Sequence, residues 1–251
     1  MTYALLSLED FKARFPETVE GMDASLLHEP IAVCTETQTH SGDFSLEGKT
    51  SVQPTANSYV FLSDLIIDGN LINWSGDVGA NLFVNGTLNA DNIIAGGSFI
   101  DLNRAIIKGC VLGHYNDGHL IIRDFQGDLV ISDDHSMFTP SNQRYVSITH
   151  DVGRPVSLSV DDINLDLSYS DRLLFEARTL MDFFKQTEWF ELETDSSDPD
   201  EIFDALDNNE YQIRWYDWVG SVVDQGRSEA VQEFQRLVDY CRDRYSSAPP
   251  K

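Results

Sequence analysis

The middle of the chain repeats itself at a spacing of seventeen residues, and few folds can carry so short a period. Residues 65–113 match themselves at this shift, so that Ile66 aligns with Phe83 and Ile100. Glycines at the ends of the repeats stay in phase as well. Each repeat reads as a short strand, a turn built on Gly or Asn, and a second short strand. An α-helix would need longer uninterrupted segments.

A coil of short strands, each stacked on the equivalent strand one turn later, explains the fixed period. The sequence therefore predicts a fold that is mainly β with α. It is a short β-solenoid, or β-helix, with coils of seventeen residues, followed by an α-helical C-terminal region. Within the coils we expect Ile66, Phe83 and Ile100 to form one inward-facing ladder, and Leu71, Leu88 and Ala105 to occupy equivalent positions of successive coils.

Sequence patterns divide the chain into three predicted domains. Residues 1–43 form an N-terminal helix and cap, in which Ser7 and Asp10 have the spacing of a capping box. Residues 44–139 form the β-solenoid, whose exposed end such a cap would protect. Residues 140–251 form a strand-containing linker and an α-helical C-terminal domain. Apolar stripes at helical spacing place two of its helices at about 171–186 and 228–245, and a third is predicted to begin at Asp198.

The chain is strongly acidic, with 42 acidic and 17 basic residues and a formal net charge of -25. Such a field repels nucleic acid and anionic lipid, and it attracts basic proteins. We therefore expect a protein partner with a basic surface, and neither nucleic acid nor a membrane. Colloidal solubility or adaptation to salt is the alternative explanation of the charge.

Three widely spaced cysteines, Cys34, Cys110 and Cys241, fit reduced buried thiols better than a disulfide framework or a zinc site. The N-terminal stretch turns acidic after five residues and lacks the basic start and apolar core of an export signal. No apolar stretch approaches the length that spans a membrane. These features predict a cytoplasmic protein.

Residues 191–210 hold nine carboxylates and no lysine or arginine. Asp198, Asp200 and Glu201 suit the positive end of the predicted helix dipole. The remaining acids of the segment, with three nearby tryptophans, are the candidate partner-binding residues: Glu191, Glu193, Asp195, Asp204, Asp207, Glu210, Trp189, Trp215 and Trp218. The tryptophans lie between the predicted helices, and a place in the core is their alternative role.

Three histidines near the last coils are weak candidates for a metal site: His114, His119 and His135. They lie close in sequence to aspartates, and imidazole and carboxylate groups are suitable ligands. The alternative is that they are turn residues at solenoid corners, and we expect no metal or cofactor. Nucleophile elbows, phosphate loops, dinucleotide fingerprints and zinc-protease helices are absent from the sequence. An enzyme is therefore not expected, and a metal-dependent enzyme is the third functional hypothesis.

The coil sequences "LIIDGNLINW", "LFVNGTLNADNIIAGGSFIDL" and "VLGHYNDGHLIIRDFQGDLVISDDH" resemble bacterial β-solenoid proteins whose helical extensions look like immunity proteins of polymorphic toxin systems. This resemblance implies an immunity protein, or antitoxin, that neutralises a cognate toxin in interbacterial competition. The acidic charge of the chain further predicts that this toxin has a basic surface, as a nuclease does. A second similarity, to bactofilins, implies a structural scaffold or filament. Bactofilins lack a large folded domain after the coils, and this chain departs from that pattern.

Overall fold

The chain folds into two compact units in the computed structural model. The solenoid unit comprises residues 1–127 and 135–143, and the C-terminal unit comprises residues 128–134 and 144–251. The structure describes residues 3–20, 22–47, 55–76, 79–140, 144–151, 157–160, 165, 167–185, 187–192 and 211–247.

Short strands dominate the first two thirds of the chain, and helices dominate the last third. In chain order the elements are β1 (Ala4–Leu6), α1 (Leu8–Arg14), α2 (Pro16–Glu20), β2 (Ile31–Cys34), β3 (Gln38–Ser41), β4 (Phe44–Ser45), β5 (Ser58–Phe61), β6 (Leu65–Asp68), β7 (Leu71–Ile72), β8 (Asn81–Ala90), β9 (Ile93–Ala95), β10 (Phe99–Ile107), β11 (Cys110–His114), β12 (His119–Gln126), β13 (Leu129–Asp133), β14 (Ser136–Phe138), β15 (Val146–His150), β16 (Ser157–Val160), α3 (Tyr169–Phe184), β17 (Phe190–Leu192), β18 (Tyr211–Ile213), α4 (Trp215–Asp224) and α5 (Arg227–Ser246).

The solenoid unit consists of two stacks of parallel strands. One stack runs β2, β5, β8, β10, β12 and β14, with β3 and β6 joining it along β8. The other runs β4, β7, β9 and β11. Each strand pairs in parallel with the equivalent strand of the next coil, which is the arrangement of a β-solenoid. The predicted fold class, mainly β with a short solenoid followed by C-terminal helices, is confirmed.

The coils are not of equal length. Leu88 pairs with Ala105, seventeen residues further on, as predicted, but Leu71 pairs with Ile93 and not with Leu88. In the first coil, however, Ile31 pairs with Ser58, twenty-seven residues further on. Parallel stacking thus already begins at Ile31, within the predicted N-terminal cap. The division of the chain into domains at residues 43 and 139 stays a prediction.

The predicted inward ladder of Ile66, Phe83 and Ile100 is wrong. Ile66 is 38% exposed and pairs with Asn89, whereas the buried Ile100 pairs with Leu82. The physical reason is that residues added at the corners lengthen the earlier coils. Aligning the sequence with itself at one constant shift therefore matches residues that are not neighbours in the stacked strands. An error of one residue is enough to move a side chain to the other face of its strand.

The interior of the coils is filled by two neighbouring ladders of apolar side chains, all almost fully buried. In register order they are Ala32, Tyr59, Leu82, Ile100 and Leu120, and then Cys34, Phe61, Val84, Leu102 and Ile122. Burial of each large side chain contributes about 1.5–3 kcal/mol to stability. These ladders are the stacked core that the sequence period predicts.

The residues between these two ladders point to the opposite face of the same strands. In register order this outer column is Val33, Val60, Phe83, Asp101, Ile121 and Phe138. The N-terminal segment covers its first half, because the first three members pack in one apolar cluster with Phe11 of α1 and Leu27. Phe83 is therefore buried beneath the N-terminal helices, and not inside the coil.

One corner of the solenoid is held by a ladder of side-chain hydrogen bonds. Asp43 Oδ1 accepts hydrogen bonds from the backbone N–H and the Nδ2 of Asn70, at 2.8 and 2.9 Å. Asn70 Oδ1 in turn accepts from Asn92 Nδ2 at 2.8 Å, and Asn92 Oδ1 accepts from the backbone N–H of Cys110 at 2.8 Å. Each coil thus supplies an acceptor for buried donors of the next coil, which fixes their register.

In its described residues, the C-terminal unit combines short paired strands with the helices α3, α4 and α5. Strand β15 pairs in parallel with β13 and antiparallel with β16, and β17 pairs antiparallel with β18. An aromatic cluster forms its core. The ring centroid of Phe184 lies 5.3 Å from that of Trp215 and 5.0 Å from that of Trp218. The Trp218 ring in turn lies 5.5 Å from the ring of Phe234, centroid to centroid. None of the helices in the described ranges has both the length and the apolar character needed to cross a bilayer.

Candidate binding cleft

A cleft of about 270 Å³ opens in the solenoid unit beside α2, where the N-terminal segment stops covering the outer column. Met22 and Phe83 contribute apolar lining, and Glu17 lies at its edge with an exposed side chain. Asp101 and Arg123 supply charged groups from two neighbouring coils. The cleft therefore combines an apolar wall with carboxylates, and a guanidinium lies beside them.

Asp101 and Arg123 form a two-pronged ion pair within the cleft. The Nη2 of Arg123 donates to Oδ2 of Asp101 at 3.0 Å, and Nη1 donates to Oδ1. Asp101 is only 9% exposed, and its hydrogen bonds raise the pKa of the Arg123 guanidinium further above its usual value. Strand register explains the meeting: Asp101 pairs with Ile121, so Arg123 lies two residues further along β12 on the same face.

Beyond the cleft the outer column continues as Ile121 and Phe138, and Phe99 lies two residues before Asp101 on the same face of β10. We define Phe99, Ile121 and Phe138 as the apolar strip. The ring of Phe99 stacks on that of Phe83 with 5.7 Å between centroids. Ile121 pairs with Phe138 across β12 and β14, and Phe138 is 61% exposed. The strip thus extends the surface on which the N-terminal helices pack: Phe99 packs against the apolar cluster that those helices bury, and Ile121 and Phe138 lie beyond it.

Most acids of the predicted partner-binding set lie outside the described residues: Glu193, Asp195, Asp204, Asp207 and Glu210. Glu191 is described, and its carboxylate is exposed on β17 with Oε1 at 3.8 Å from Nε of Arg214. The Arg214 guanidinium carbon also lies 5.2 Å from the centroid of the half-buried Trp189 ring. A role for these residues in partner binding stays a prediction.

Trp215 and Trp218 are placed in the core of the C-terminal unit, which is the alternative role that the sequence left open; their part in partner binding stays a prediction. Both side chains are almost fully buried, and their rings pack on Phe184 in the core of the C-terminal unit. The sequence missed that they begin a helix, α4. Together with Val219 and Val222, they form an apolar stripe at helical spacing that indicates this role.

The three candidate metal-binding histidines have separate structural settings. Nδ1 of the buried His135 donates to the backbone oxygens of His114 and Tyr115, at 3.1 and 2.8 Å, and burial lowers its pKa. His114 is buried, and its Nε2 lies 3.3 Å from the backbone oxygen of Asn73. His119 is exposed, and its ring lies next to that of Phe99. Within the described part of the chain, no three His, Cys, Asp or Glu residues are grouped to hold a metal ion.

A separate titratable pair joins two strands of the C-terminal unit. His150 and Asp133 are register partners on β15 and β13, and Nδ1 of His150 lies 2.7 Å from Oδ1 of Asp133. This hydrogen bond raises the pKa of His150, and the nearby charges of Asp134 and Asp151 act in the same direction. The protonated imidazole is therefore favoured by the fold.

We expect His150→Gln to destabilise the C-terminal unit more at pH 6 than at pH 9. Because the pKa of His150 is raised on folding, its contribution is fully present below its unfolded value, about 6.5, and is lost as pH rises through the folded value. Urea unfolding at the two pH values measures this, with an expected difference of about 1 kcal/mol in the effect of the substitution. An equal effect at both pH values would contradict the ion pair.

The residues that make the cleft, Glu17, Asp101 and Arg123, were not among those predicted from the sequence. The available signal is that Asp101 and Arg123 are charged residues next to Ile100, Leu102 and Ile122, at positions that alternate with the buried ladders. The arrangement suits a long cationic side chain: its aliphatic stem can pack on the apolar wall while its charged end meets carboxylates.

Comparisons with protein-family models, with curated proteins and with solved structures find no match to this chain.

Proposed function

We propose that the protein is a cytoplasmic immunity protein that binds and neutralises a cognate bacterial toxin with a basic surface, such as a nuclease. The observation that carries the proposal is an excess of acidic groups displayed on a folded surface. Exposed carboxylates in the solenoid unit belong to Glu9, Asp10, Glu17, Asp23, Glu29, Glu36, Asp43, Asp68, Asp117 and Asp124. The proposal also rests on the resemblance of the coil sequences to polymorphic-toxin immunity proteins.

The ten exposed carboxylates outnumber the exposed basic residues described in the same unit, which are Lys12, Arg14, Arg104, Lys108 and Arg123. Arg104 pairs with the exposed Asp124 at 3.3 Å. Lys108 pairs with the buried Asp91 at 2.7 Å, and Arg123 pairs with the buried Asp101. Both cations are thus matched to buried acids, which are not among the exposed carboxylates. The remaining surface charge keeps the field negative, and such a field steers a basic partner into contact at an enhanced rate.

A toxin that acts on nucleic acid holds the phosphates of its substrate with basic residues. An acidic protein bound to that surface would compete with the substrate through charge and exclude it by its bulk. A cytoplasmic location suits this role. It is also consistent with the three free, buried cysteines, because the cytoplasm keeps thiols reduced. Burial raises the pKa of the Cys241 thiol to about 12, so this group stays protonated at neutral pH.

The second candidate is a structural scaffold in which solenoids polymerise end to end. The start of the solenoid favours a discrete particle instead, because β1 pairs antiparallel with β2 along the edge of the first coil. An antiparallel terminal strand covers part of the edge on which a further parallel coil would stack. Filaments in negative stain at rising protein concentration would favour the scaffold and contradict the immunity proposal.

We expect the protein to bind the purified product of its adjacent gene at a rate that falls at least tenfold between about 20 mM and about 150 mM salt. Stopped-flow fluorescence measures the association rate. Asp195, Asp204 and Asp207 changed together to Lys should slow association about tenfold if the predicted acidic segment is the contact surface. On this prediction the three acids are surface charges, which contribute little to folding, so thermal unfolding should barely change.

A matched variant changes Glu9, Glu36 and Asp117 of the solenoid unit to Lys, which alters net charge by the same amount. If this variant slows association more than the first, the solenoid unit carries the contact surface. A complex whose association rate does not respond to salt or to either variant would contradict charge-steered recognition. Failure of the adjacent gene product to bind, together with failure of the protein to protect cells that express it, would overturn the immunity proposal.

A further inference from the structure

We infer that the uncovered end of the outer column is a docking surface for an amphipathic, cationic helix of a partner protein, which lies beside α1 and α2 and places one lysine or arginine side chain in the cleft. The surface consists of the apolar strip, Phe99, Ile121 and Phe138, together with the cleft. The inference deepens the proposed function, and it rests on that function for the partner's identity as a toxin.

The first argument is continuity with a packing interface that the chain itself forms. The N-terminal segment, with α1 and α2, packs on Val33, Val60 and Phe83 through an apolar face that includes Phe11 and Phe15. Strand stacking continues the same column in register through Asp101, Ile121 and Phe138. A surface that accepts helices over its first coils therefore continues with the same coil-to-coil spacing over the later ones.

The second argument is exposure. Phe138 is 61% exposed, and both Phe99 and Ile121 are partly exposed, although all three follow a buried section of the same face. Apolar side chains that are spaced by successive coils match the spacing of anchors along one face of a helix. Adjacent strands lie about 4.8 Å apart, and one helical turn rises about 5.4 Å. Helices bind such grooves through residues at i, i+3, i+4 and i+7.

The third argument is the chemistry of the cleft, which selects a cation. The stem of a lysine or arginine can lie along Met22 and Phe83, and its charged end can reach the carboxylates of Glu17 and Asp101. Arg123 uses one acceptor site on each oxygen of Asp101, and an ionised carboxylate offers about four. Asp101 therefore retains acceptor capacity. The carboxylates of Glu17 and Asp101 together outnumber the guanidinium of Arg123, which by itself repels an incoming cation.

The charge of the whole chain points to the same partner. A formal net charge of -25 repels an acidic helix before contact and attracts a basic one. Apolar anchors then hold the complex, because buried aromatic and aliphatic contacts dominate interface energies. A cationic helix with one apolar face satisfies both requirements.

The test uses a synthetic helical peptide of leucine and lysine, about eighteen residues long, with the leucines on one face. Two control peptides are a scrambled sequence of the same composition and an amphipathic helix of leucine and glutamate. Fluorescence anisotropy should show saturable binding of the first peptide and at least tenfold weaker binding of both controls. Nonsaturable binding, or equal binding of the scrambled peptide, would overturn the inference.

Protein variants locate the binding surface. Phe138→Ser and Glu17→Gln alter exposed side chains, so both should fold normally, which circular dichroism checks. Each should weaken binding of the leucine–lysine peptide at least fivefold. Leu5→Ser and Glu36→Gln make the same changes at exposed positions outside the strip and cleft, and they should leave binding unchanged. Equal loss in the control variants would mean that the peptide senses overall charge, and it would overturn the inference.

This test is independent of the immunity proposal. If the peptide binds at the strip but the adjacent gene product does not bind, the docking surface stands and the proposed function fails. If the adjacent gene product binds and its affinity is unaffected by Phe138→Ser and Glu17→Gln, the proposed function stands and the docking inference is overturned.

Discussion

Phe83→Asp is expected to lower the free energy of unfolding of the solenoid unit by more than about 4 kcal/mol, enough to unfold a domain of ordinary stability. Phe83 is 2% exposed and packs with Val33, Val60 and Phe11 between the coils and the N-terminal helices. The substitution removes this packing and buries a carboxylate. It also places that carboxylate next to its register partner, Asp101, which adds like-charge repulsion.

A matched control is Phe138→Asp, which makes the same change further along the same outer column. Phe138 is largely exposed, so the new carboxylate stays in water and the loss should be below about 1 kcal/mol. Urea unfolding followed by circular dichroism compares the two variants. Similar losses in both would show that the N-terminal segment does not bury the first half of the column.

Glu176→Ala is expected to lower the free energy of unfolding of the C-terminal unit by about 2–3 kcal/mol. Glu176 is fully buried, yet it accepts hydrogen bonds from the backbone N–H of Leu158 at 3.0 Å and from the Tyr245 hydroxyl at 3.3 Å. Its Oε1 also lies 2.6 Å from Nε of Arg172. Removing the carboxylate leaves the buried backbone N–H of Leu158 without this acceptor, which is costly. The Arg172 side chain is 43% exposed and can be solvated by water.

The control for this prediction is Asp182→Ala on the same helix, α3. Asp182 is partly exposed and lies 3.8 Å from Lys185 and 3.5 Å from Arg244, so its ion pairs are near the surface. We expect a loss below about 1 kcal/mol, since such pairs contribute little. Chemical unfolding of both variants separates the two contributions. A loss for Glu176→Ala as small as that for Asp182→Ala would contradict a structural role for the buried carboxylate.

Local signals in the sequence predicted several elements well. The capping-box spacing of Ser7 and Asp10 corresponds to the start of α1, where Ser7 Oγ accepts from the backbone N–H of Asp10 at 3.1 Å. Apolar stripes predicted α3 and α5 to within two residues at each end. These succeeded because a cap and a stripe involve residues only a few positions apart. The helix predicted to begin at Asp198 lies outside the described residues.

Positions that depend on distant pairing were predicted less well. Ile66 was expected inside the coil, but its strand pairs with residues twenty-three positions later, which places it at the surface. Corner insertions change the shift between coils at little cost in free energy, and an alignment at one period cannot follow them. The tryptophans of α4 are a different case, because their stripe was present in the sequence and a core role was the alternative already considered.

The sequence by itself determined that this chain stacks short strands in a solenoid, carries helices after it and presents an acidic surface, because period, turn residues and charge are properties of neighbouring positions. Only the tertiary structure decided which face of each strand is buried and which residues meet. Glu17, Asp101 and Arg123 come together because the N-terminal helices pack on the outer column and stop at Phe83. That meeting depends on strand register across several coils, and register is set by the packing of the whole ladder.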